Sequence, residues 1–183
     1  MRESIFVEGF MMRLDSKIRV IPDFPKPGIS FKDITPLLQD PEYFREAIDS
    51  LAQRLSSRRF EAIVCPEARG FIFGAALAYK LNVGFVPVRK AGKLPYNTIK
   101  GEYDLEYGKD TLEIHEDAVK PGQRVVVLDD VLATGGTIKA VADLVEKVGG
   151  VVDCMAFLIE LQYIGGRQNL KQYEVLSLLE MSS

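Results

Sequence analysis

The chain has 183 residues, of which 47% are hydrophobic and 27% are charged, and its formal net charge is −3. This length and apolar content predict one globular domain with a substantial core and exclude a disordered chain. Acidic and basic residues are mixed along the sequence and no apolar run reaches membrane-spanning length, so neither a nucleic-acid nor a membrane partner is expected.

The first elements in chain order are an extension, a short helix and an irregular loop. Residues 1–12 are interrupted by acids, which excludes a signal peptide, and form an extension that need not be ordered. Three apolar residues at helical spacing predict a helix over residues 13–21; they are Leu14, Ile18 and Ile21. Three prolines and a glycine then interrupt regular structure within residues 22–34.

The middle of the chain predicts alternating helices and strands. Asp40-Pro41-Glu42 marks a helix start, because an acidic N-cap precedes a proline at the first helical position. The elements expected after it are an amphipathic helix through residue 55, a strand over 62–65, a helix over 71–81 and a strand over 84–88. This α/β order predicts a mostly parallel twisted sheet flanked by helices. Residues 96–116 mix apolar and charged residues, which predicts an antiparallel excursion.

Residues 125–137 are the most informative segment. A continuous apolar, β-branched run predicts a strand buried on both faces, and it ends in Asp129 and Asp130. A loop of small residues follows and leads into a predicted helix over 138–148. The last expected elements are a strand over 151–161, a short helical turn over 165–170 and a strand over 173–179.

This segment suits a phosphorylated sugar. The free N–H groups and positive dipole end of a helix start attract phosphate, and Gly135 and Gly136 let the backbone wrap an anion. Asp129 and Asp130 are poor partners for phosphate but good acceptors for ribose hydroxyls. The glycine patterns of P-loops and of dinucleotide-binding folds are absent. A plain strand-to-helix turn is the alternative, and two acids with two threonines favour the ligand site.

Four segments resemble motifs of one enzyme family. Residues 125–137 resemble the phosphoribosyl-pyrophosphate (PRPP) signature of type I phosphoribosyltransferases. Three more segments resemble, in adenine phosphoribosyltransferases, the N-terminal motif, the pyrophosphate loop and the flap; they are residues 23–34, 67–74, and 89–95 continuing to 105–108. The motifs occur in family order and cover nearly the whole chain from about Lys17.

The resemblance implies a fold and an activity. The fold is the type I phosphoribosyltransferase fold as a single domain over residues 1–183, with a base-recognition hood at 22–34 and a mobile antiparallel flap at 92–116. The activity is Mg²⁺-dependent transfer of the 5-phosphoribosyl group from PRPP to adenine, which gives AMP and pyrophosphate. Mg²⁺ is expected to bind mainly through PRPP and pyrophosphate, without a dedicated protein cage. The family is usually homodimeric, so a homodimer is expected.

The resemblance also implies which residues contact each part of the substrates. Ribose hydroxyls are expected at Asp129 and Asp130. The 5′-phosphate is expected at Ala133, Thr134, Gly135, Gly136 and Thr137. Pyrophosphate is expected at Glu67, Ala68, Arg69, Arg89 and Lys93, with a cis peptide between the first two. Adenine is expected at Ser30, Phe31, Lys32 and Val131, where the phenyl ring and the valine cover the two faces of the base.

One acid–base group is expected to manage the purine proton, and the flap match makes Glu106 the candidate. An exposed, non-catalytic Glu106 and a core position for Phe31 remain the structural alternatives. His115 is the only histidine and is expected to have no catalytic role, which excludes Ser/His and Cys/His nucleophilic catalysis. The two cysteines, Cys65 and Cys154, lie in predicted strands, which indicates reduced, buried thiols. With no signal peptide and no membrane-spanning run expected, the cytoplasm is the expected location.

Two rival functions remain open at this point. One is the same chemistry with another purine base, such as xanthine, hypoxanthine or guanine. The other is a regulator that binds PRPP without catalysis and would need a DNA-binding module. Roughly twenty residues precede the region of resemblance, too few for a helix-turn-helix domain.

Overall fold

The computed structural model of the protein describes residues 13–104 and 109–182. The chain forms two compact units, the first ending at Ala47 and the second beginning at Ile48. No helix within the described ranges is long and apolar enough to cross a membrane.

The first unit holds short elements. They are a 3₁₀ turn at Leu14–Lys17, β1 at Arg19–Ile21, β2 at Phe31–Asp33, α1 at Thr35–Gln39 and the start of α2, which spans Pro41–Leu55. The predicted start of α2 is confirmed, since Oδ1 of Asp40 accepts hydrogen bonds from the N–H groups of Glu42 at 3.1 Å and Tyr43 at 3.4 Å. The loop after β1 is irregular as predicted, but its last residues form β2.

The prediction of a helix over residues 13–21 is wrong. Only one 3₁₀ turn forms, and the chain then extends into β1, which pairs antiparallel with β2. Arg19 lies opposite Asp33 in this pair, and their side chains form an ion pair at 2.7 Å. Val20 and Ile21 are β-branched and favour an extended backbone. A pairing partner distant in sequence therefore overrides the helical spacing.

The second unit is a seven-stranded sheet with helices. Its remaining elements are β3 at Ala62–Pro66, α3 at Arg69–Leu81, β4 at Gly84–Lys90, β5 at Thr98–Asp104, β6 at Lys109–His115, β7 at Arg124–Leu132, α4 at Gly136–Lys147, β8 at Val151–Leu161, 3₁₀ turns at Gln162–Ile164 and Gly166–Leu170, and β9 at Val175–Met181. The strand order is β5-β6-β4-β3-β7-β8-β9. The five strands from β4 to β9 in this order are parallel, and β5 and β6 are antiparallel.

This arrangement confirms the predicted parallel sheet with an antiparallel excursion. Helix α3 packs on β3, β4 and β7, while α4 packs on strands β3 and β5 to β8. Apolar side chains of α4, including Val141 and Leu144, join residues of the central strands in a continuous core. The apolar face of α4 therefore packs on the apolar strands, as the amphipathic pattern of the helix predicts.

Strand β7 is longer than predicted. The sequence predicted a strand that ends in Asp129 and Asp130, but β7 continues beyond them to Leu132. The reason is its neighbour, because β8 pairs with β7 from Arg124 as far as Leu132. The acid pair therefore lies within a hydrogen-bonded strand, which restricts where the two carboxylates point.

Candidate functional site

A cavity of about 80 Å³ opens where β7 leads into α4. It lies at the carboxyl end of a parallel strand, where open α/β sheets bind ligands. Its lining comes almost entirely from the segment that the sequence singles out: Asp129, Val131, Leu132, Ala133, Thr134, Gly135, Thr137 and Ile138. The structure thus gathers one carboxylate, two hydroxyl-bearing side chains and the start of a helix around one space.

The loop before α4 is held close to a second segment. Gly135 caps the helix with φ 81°, a conformation that favours glycine. A Cβ on Gly135 would lie 2.8 Å from the carbonyl oxygen of Gly166, and one on Gly166 would lie 2.0 Å from the carbonyl oxygen of Ala133. Asn169 also donates a hydrogen bond to the Thr134 carbonyl at 2.8 Å. Sequence reasoning missed Gly166 and Asn169, because no local pattern connects them to this loop.

The first N–H groups of α4 have no hydrogen-bond acceptor within the helix, because no helical turn precedes them. The N–H of Gly136 makes a long contact, 3.5 Å, with the Thr134 hydroxyl. Free donors at a helix start, together with the dipole, favour an anion. Four of the five predicted phosphate residues, Ala133, Thr134, Gly135 and Thr137, line the cavity, and their contact with phosphate stays a prediction.

The two carboxylates beside the cavity differ in exposure. Asp129 is half-buried, and only 3% of Asp130 is exposed. The N–H of Asp130 donates to Oδ1 of Asp129 at 2.9 Å. Burial raises the pKa of both carboxyl groups above their usual range; the adjacent Asp130 charge adds to this at Asp129, and Arg69 opposes it at Asp130. Two adjacent acids are thus kept in surroundings that disfavour their charge.

Arg69 connects two subsites that the sequence treated separately. Its Nε lies 2.8 Å from Oδ2 of Asp130. Arg69 begins α3, and the next residue, Gly70, lets this helix start approach the acid pair. A Cβ on Gly70 would lie 2.9 Å from Oδ1 of Asp129. The predicted pyrophosphate residue Arg69 and the predicted ribose residue Asp130 are therefore neighbours.

The loop after β3 contains the cis peptide between Glu67 and Ala68 that the resemblance implied. The Glu67 carboxylate lies 3.2 Å from Nη2 of Arg89, and it accepts a hydrogen bond from the N–H of Lys90 at 2.6 Å. Although burial alone would raise the pKa of Glu67, these two donors lower it below its usual value. The side chain of Glu67 is therefore directed toward a predicted pyrophosphate residue, and its own contact with pyrophosphate stays a prediction.

Lys93 is held through its backbone. Its carbonyl oxygen accepts a hydrogen bond from Nη1 of Arg89 at 3.3 Å, and its N–H donates to Glu113 at 3.0 Å. Sequence reasoning passed over Glu113, which sits between two buried apolar residues of β6 and is itself 2% exposed. An acid at such a position in a strand was the available signal.

The residues predicted to read adenine lie in both units. Nζ of the buried Lys32 is 3.2 Å from the Ser30 hydroxyl, and Phe31 packs edge-to-face on Phe24 with ring centroids 5.2 Å apart. Val131, in the second unit, lines the cavity. Stacking of a base between Phe31 and Val131 stays a prediction.

Glu106 lies outside the described residues, so its predicted acid–base role also stays a prediction. The ring of His115 packs edge-to-face on Tyr96, with centroids 6.0 Å apart. Among residues 13–104 and 109–182 there is no cluster of three or more histidine, cysteine or acidic side chains that could hold a metal.

Comparisons with known proteins agree with these observations. The phosphoribosyl transferase domain family model matches residues 33–175. An adenine phosphoribosyltransferase of Thermoanaerobacter sp. is 61% identical over 89% of this chain and 94% of its own. One from Clostridium perfringens is 60% identical over 92% of this chain and 98% of its own.

Solved structures agree as well. A crystal structure of adenine phosphoribosyltransferase from Thermoanaerobacter pseudethanolicus has a TM-score of 0.91 and 58% identity, and covers 93% of this chain and 99% of that one. The Saccharomyces cerevisiae enzyme, solved with an imino-altritol bisphosphate and adenine, has a TM-score of 0.86 and 40% identity, over 91% and 96% of the two chains.

Proposed function

This chain belongs to the adenine phosphoribosyltransferase family, and we propose that its site transfers the 5-phosphoribosyl group of PRPP to adenine, which gives AMP and pyrophosphate. The observation that carries the proposal is the cavity at the end of β7. Its carboxylate, hydroxyls and helix start match the ribose and the 5′-phosphate of a single ligand.

The substrate is held by three groups of residues. Residues 133–137 bind the 5′-phosphate with backbone N–H groups and hydroxyls. Asp129 and Asp130 accept hydrogen bonds from the ribose hydroxyls. Arg69, Arg89 and Lys93 face the pyrophosphate, and the Arg69–Asp130 contact of 2.8 Å supports a pyrophosphate subsite beside the ribose.

The reaction needs little covalent chemistry from the protein. The bond between ribose C1 and pyrophosphate breaks, positive charge builds on the sugar, and a purine nitrogen forms its bond to C1 from the opposite face. Orientation of the two substrates and exclusion of water supply most of the rate. The half-buried Asp129 adds negative potential beside the developing positive charge. Phe31 and Val131 hold the two faces of the base, with Ser30 and Lys32 at its edge.

Mg²⁺ fits this donor set as a substrate-bound ion. Asp129 offers a carboxylate at the cavity, and phosphate oxygens of the substrate would supply most of the coordination. When bound, the ion neutralises charge on the leaving pyrophosphate.

Glu106 exchanges the proton of the incoming purine, on the strength of its place in the flap motif. The change Glu106→Gln keeps the size of the side chain but removes the titrating group. We expect the single-turnover rate to fall about 10²–10⁴-fold, with smaller changes in substrate affinity. A normal chemical step in this variant would remove Glu106 from the mechanism.

The function itself is tested by AMP formation from adenine and PRPP with Mg²⁺. Guanine, hypoxanthine and xanthine serve as control bases, and faster turnover of one of them would assign another purine. PRPP binding without turnover of any base would instead favour the regulator, which a salt-dependent DNA-binding assay then tests.

We also propose a cytoplasmic homodimer. Both described cysteines, Cys65 and Cys154, are free and buried, which fits a reducing compartment. Ile72 and Tyr79 lie two turns apart on α3 and are 39% and 91% exposed, so they form an apolar strip that a second copy could cover. Light scattering with and without the change Tyr79→Glu tests the dimer.

A further inference from the structure

Glu113 is a buried acid in the middle of β6, with 2% of the residue exposed. Its Oε1 accepts hydrogen bonds from the backbone N–H groups of Lys93 and Leu94, each at 3.0 Å. Its Oε2 accepts a hydrogen bond from the Thr98 hydroxyl at 3.3 Å. The carboxylate therefore anchors the chain at the point where it leaves β4.

Arg89 reaches the same backbone from the other side. It lies directly opposite Glu113 in the antiparallel pairing of β4 and β6, so the two side chains leave the sheet on one face. Nη1 of Arg89 donates to the Lys93 carbonyl at 3.3 Å, and Nη2 donates to Glu67 at 3.2 Å. Two carboxylates thus hold one guanidinium and the backbone of one lysine.

The guanidinium of Arg89 has five N–H donors, and these two contacts use only two of them. Within residues 13–104 and 109–182, its buried Nε has no hydrogen-bond partner. About a third of the Arg89 side chain is exposed, so N–H groups other than the enclosed Nε can meet a pyrophosphate oxygen, whose charge strengthens the hydrogen bond.

We propose that Glu113 is a positioning residue for pyrophosphate: it holds the backbone of Lys93, and through it the Arg89 guanidinium, in the geometry that receives the anion. The inference rests on the proposed function, because it deepens the assignment of the pyrophosphate subsite. Glu113 does not touch the substrate and acts through the two basic residues. Small displacements of such binding groups strongly reduce catalysis.

The direct test removes the anchor. Glu113→Ala leaves the N–H groups of Lys93 and Leu94 without their acceptor. We expect the dissociation constant of pyrophosphate and the KM of PRPP to rise about tenfold, the scale of one charge-assisted hydrogen bond. The KM of adenine should stay within about twofold, since the displaced binding groups all lie on the pyrophosphate side. Calorimetry with Mg²⁺ and pyrophosphate, and steady-state kinetics, measure these constants.

The conservative variant keeps the test available if the alanine variant does not fold. Glu113→Gln retains an amide oxygen for the two N–H groups and loses the charge. We expect a rise of about threefold in the pyrophosphate dissociation constant, in the same direction as for alanine. Glu61→Gln is the matched control, because Glu61 also accepts a backbone N–H, from Arg124 at 2.8 Å, at the opposite end of the parallel strands. It should leave every constant unchanged.

A double variant tests whether Glu113 acts by positioning Arg89. If Glu113 acts by placing Arg89, then Glu113→Ala in an Arg89→Gln background should raise the pyrophosphate dissociation constant by less than about twofold. Fully additive losses would overturn the proposal, as would equal losses for adenine and pyrophosphate with a lower Tm. Wild-type turnover of adenine and PRPP, measured alongside, tests the proposed function independently of these variants.

Discussion

Two regions of the second unit contain carboxylates removed from solvent, and their surroundings shift the carboxyl pKa in opposite directions. At the end of β7, burial raises the pKa of Asp129 and Asp130, and the opposing interactions, with the Arg69 charge foremost at Asp130, do not cancel it. On β6, burial alone would raise the pKa of Glu113, but hydrogen bonds from backbone N–H groups, that of Leu94 foremost, lower it below its usual value.

The difference separates a binding role from a positioning role. A carboxylate that keeps acceptor capacity in a cavity is available to a ligand and reduces the stability of the free protein. A carboxylate whose acceptors are occupied by the backbone stabilises one arrangement of the chain. Substitutions at the two regions should therefore change stability with opposite signs.

The largest expected effect is at the acid pair. Asp129→Asn keeps an acceptor for the Asp130 N–H but removes the charge that receives a ribose hydroxyl. We expect the KM of PRPP to rise about 10–100-fold, as for a lost hydrogen bond to a charged group, and the KM of adenine to change little. The free energy of unfolding at neutral pH should be unchanged or higher, because an unfavourable buried charge is gone. Steady-state kinetics measure the KM values, and urea unfolding measures the free energy of unfolding. A large loss of stability would contradict the expected difference between Asp129 and Glu113.

The second effect has the opposite sign. Glu113→Gln replaces a charged acceptor by a neutral one, so its hydrogen bonds weaken. We expect the free energy of unfolding to fall by about 1–2 kcal/mol at neutral pH. Urea unfolding measures it against Glu61→Gln, which should change less because Glu61 is exposed. A stability equal to wild type would mean that the backbone around Lys93 does not need the charge.

The pH dependence distinguishes the two regions further. The folded-state pKa of Glu113 is below its unfolded value, so its stabilising contribution is complete above the unfolded pKa and is lost as pH falls through the folded pKa. The folded-state pKa of Asp129 is above its unfolded value, so this acid lowers the stability of the fold as pH rises above the unfolded pKa, and the cost disappears as pH falls to that value.

The expected outcome is a pair of stability differences with different pH profiles. At about pH 5, the advantage of Asp129→Asn over wild type should already be smaller than at neutral pH, whereas the deficit of Glu113→Gln should be intact. That deficit should shrink only below about pH 4, near the unfolded pKa of glutamate. Thermal unfolding across this range gives both curves, and parallel curves would contradict the assigned shifts.

The smallest effect is expected at an exposed carboxylate. Asp143 forms an ion pair with Lys139 one turn earlier on α4. Asp143→Asn should change the free energy of unfolding by at most about 0.5 kcal/mol and leave the KM of PRPP unaffected. A larger change in the free energy of unfolding would show that burial of the carboxylate does not explain the stability effects expected at Asp129 and Glu113. The same urea series measures it.

The order of helices and strands from residue 40 onward, and the residue types of the segment 125–137, were determined by the sequence alone. Apolar periodicity specifies α4 and the buried strands locally, and prolines and glycines mark their ends. The residues that line the cavity all lie within residues 129–138, so identifying them required no knowledge of the fold. The four motifs added the identity of the substrates through their resemblance to a family.

Only the tertiary structure decided the contacts between distant segments. It joined Arg69 to Asp130, placed Gly166 against Ala133, and buried Glu113 against the backbone of Lys93. It also extended residues 19–21 as a strand, where local spacing had favoured a helix. The physical reason is the same in each case: hydrogen-bond and ion-pair partners far apart in sequence compete with local preferences, and their proximity is created only when the sheet assembles.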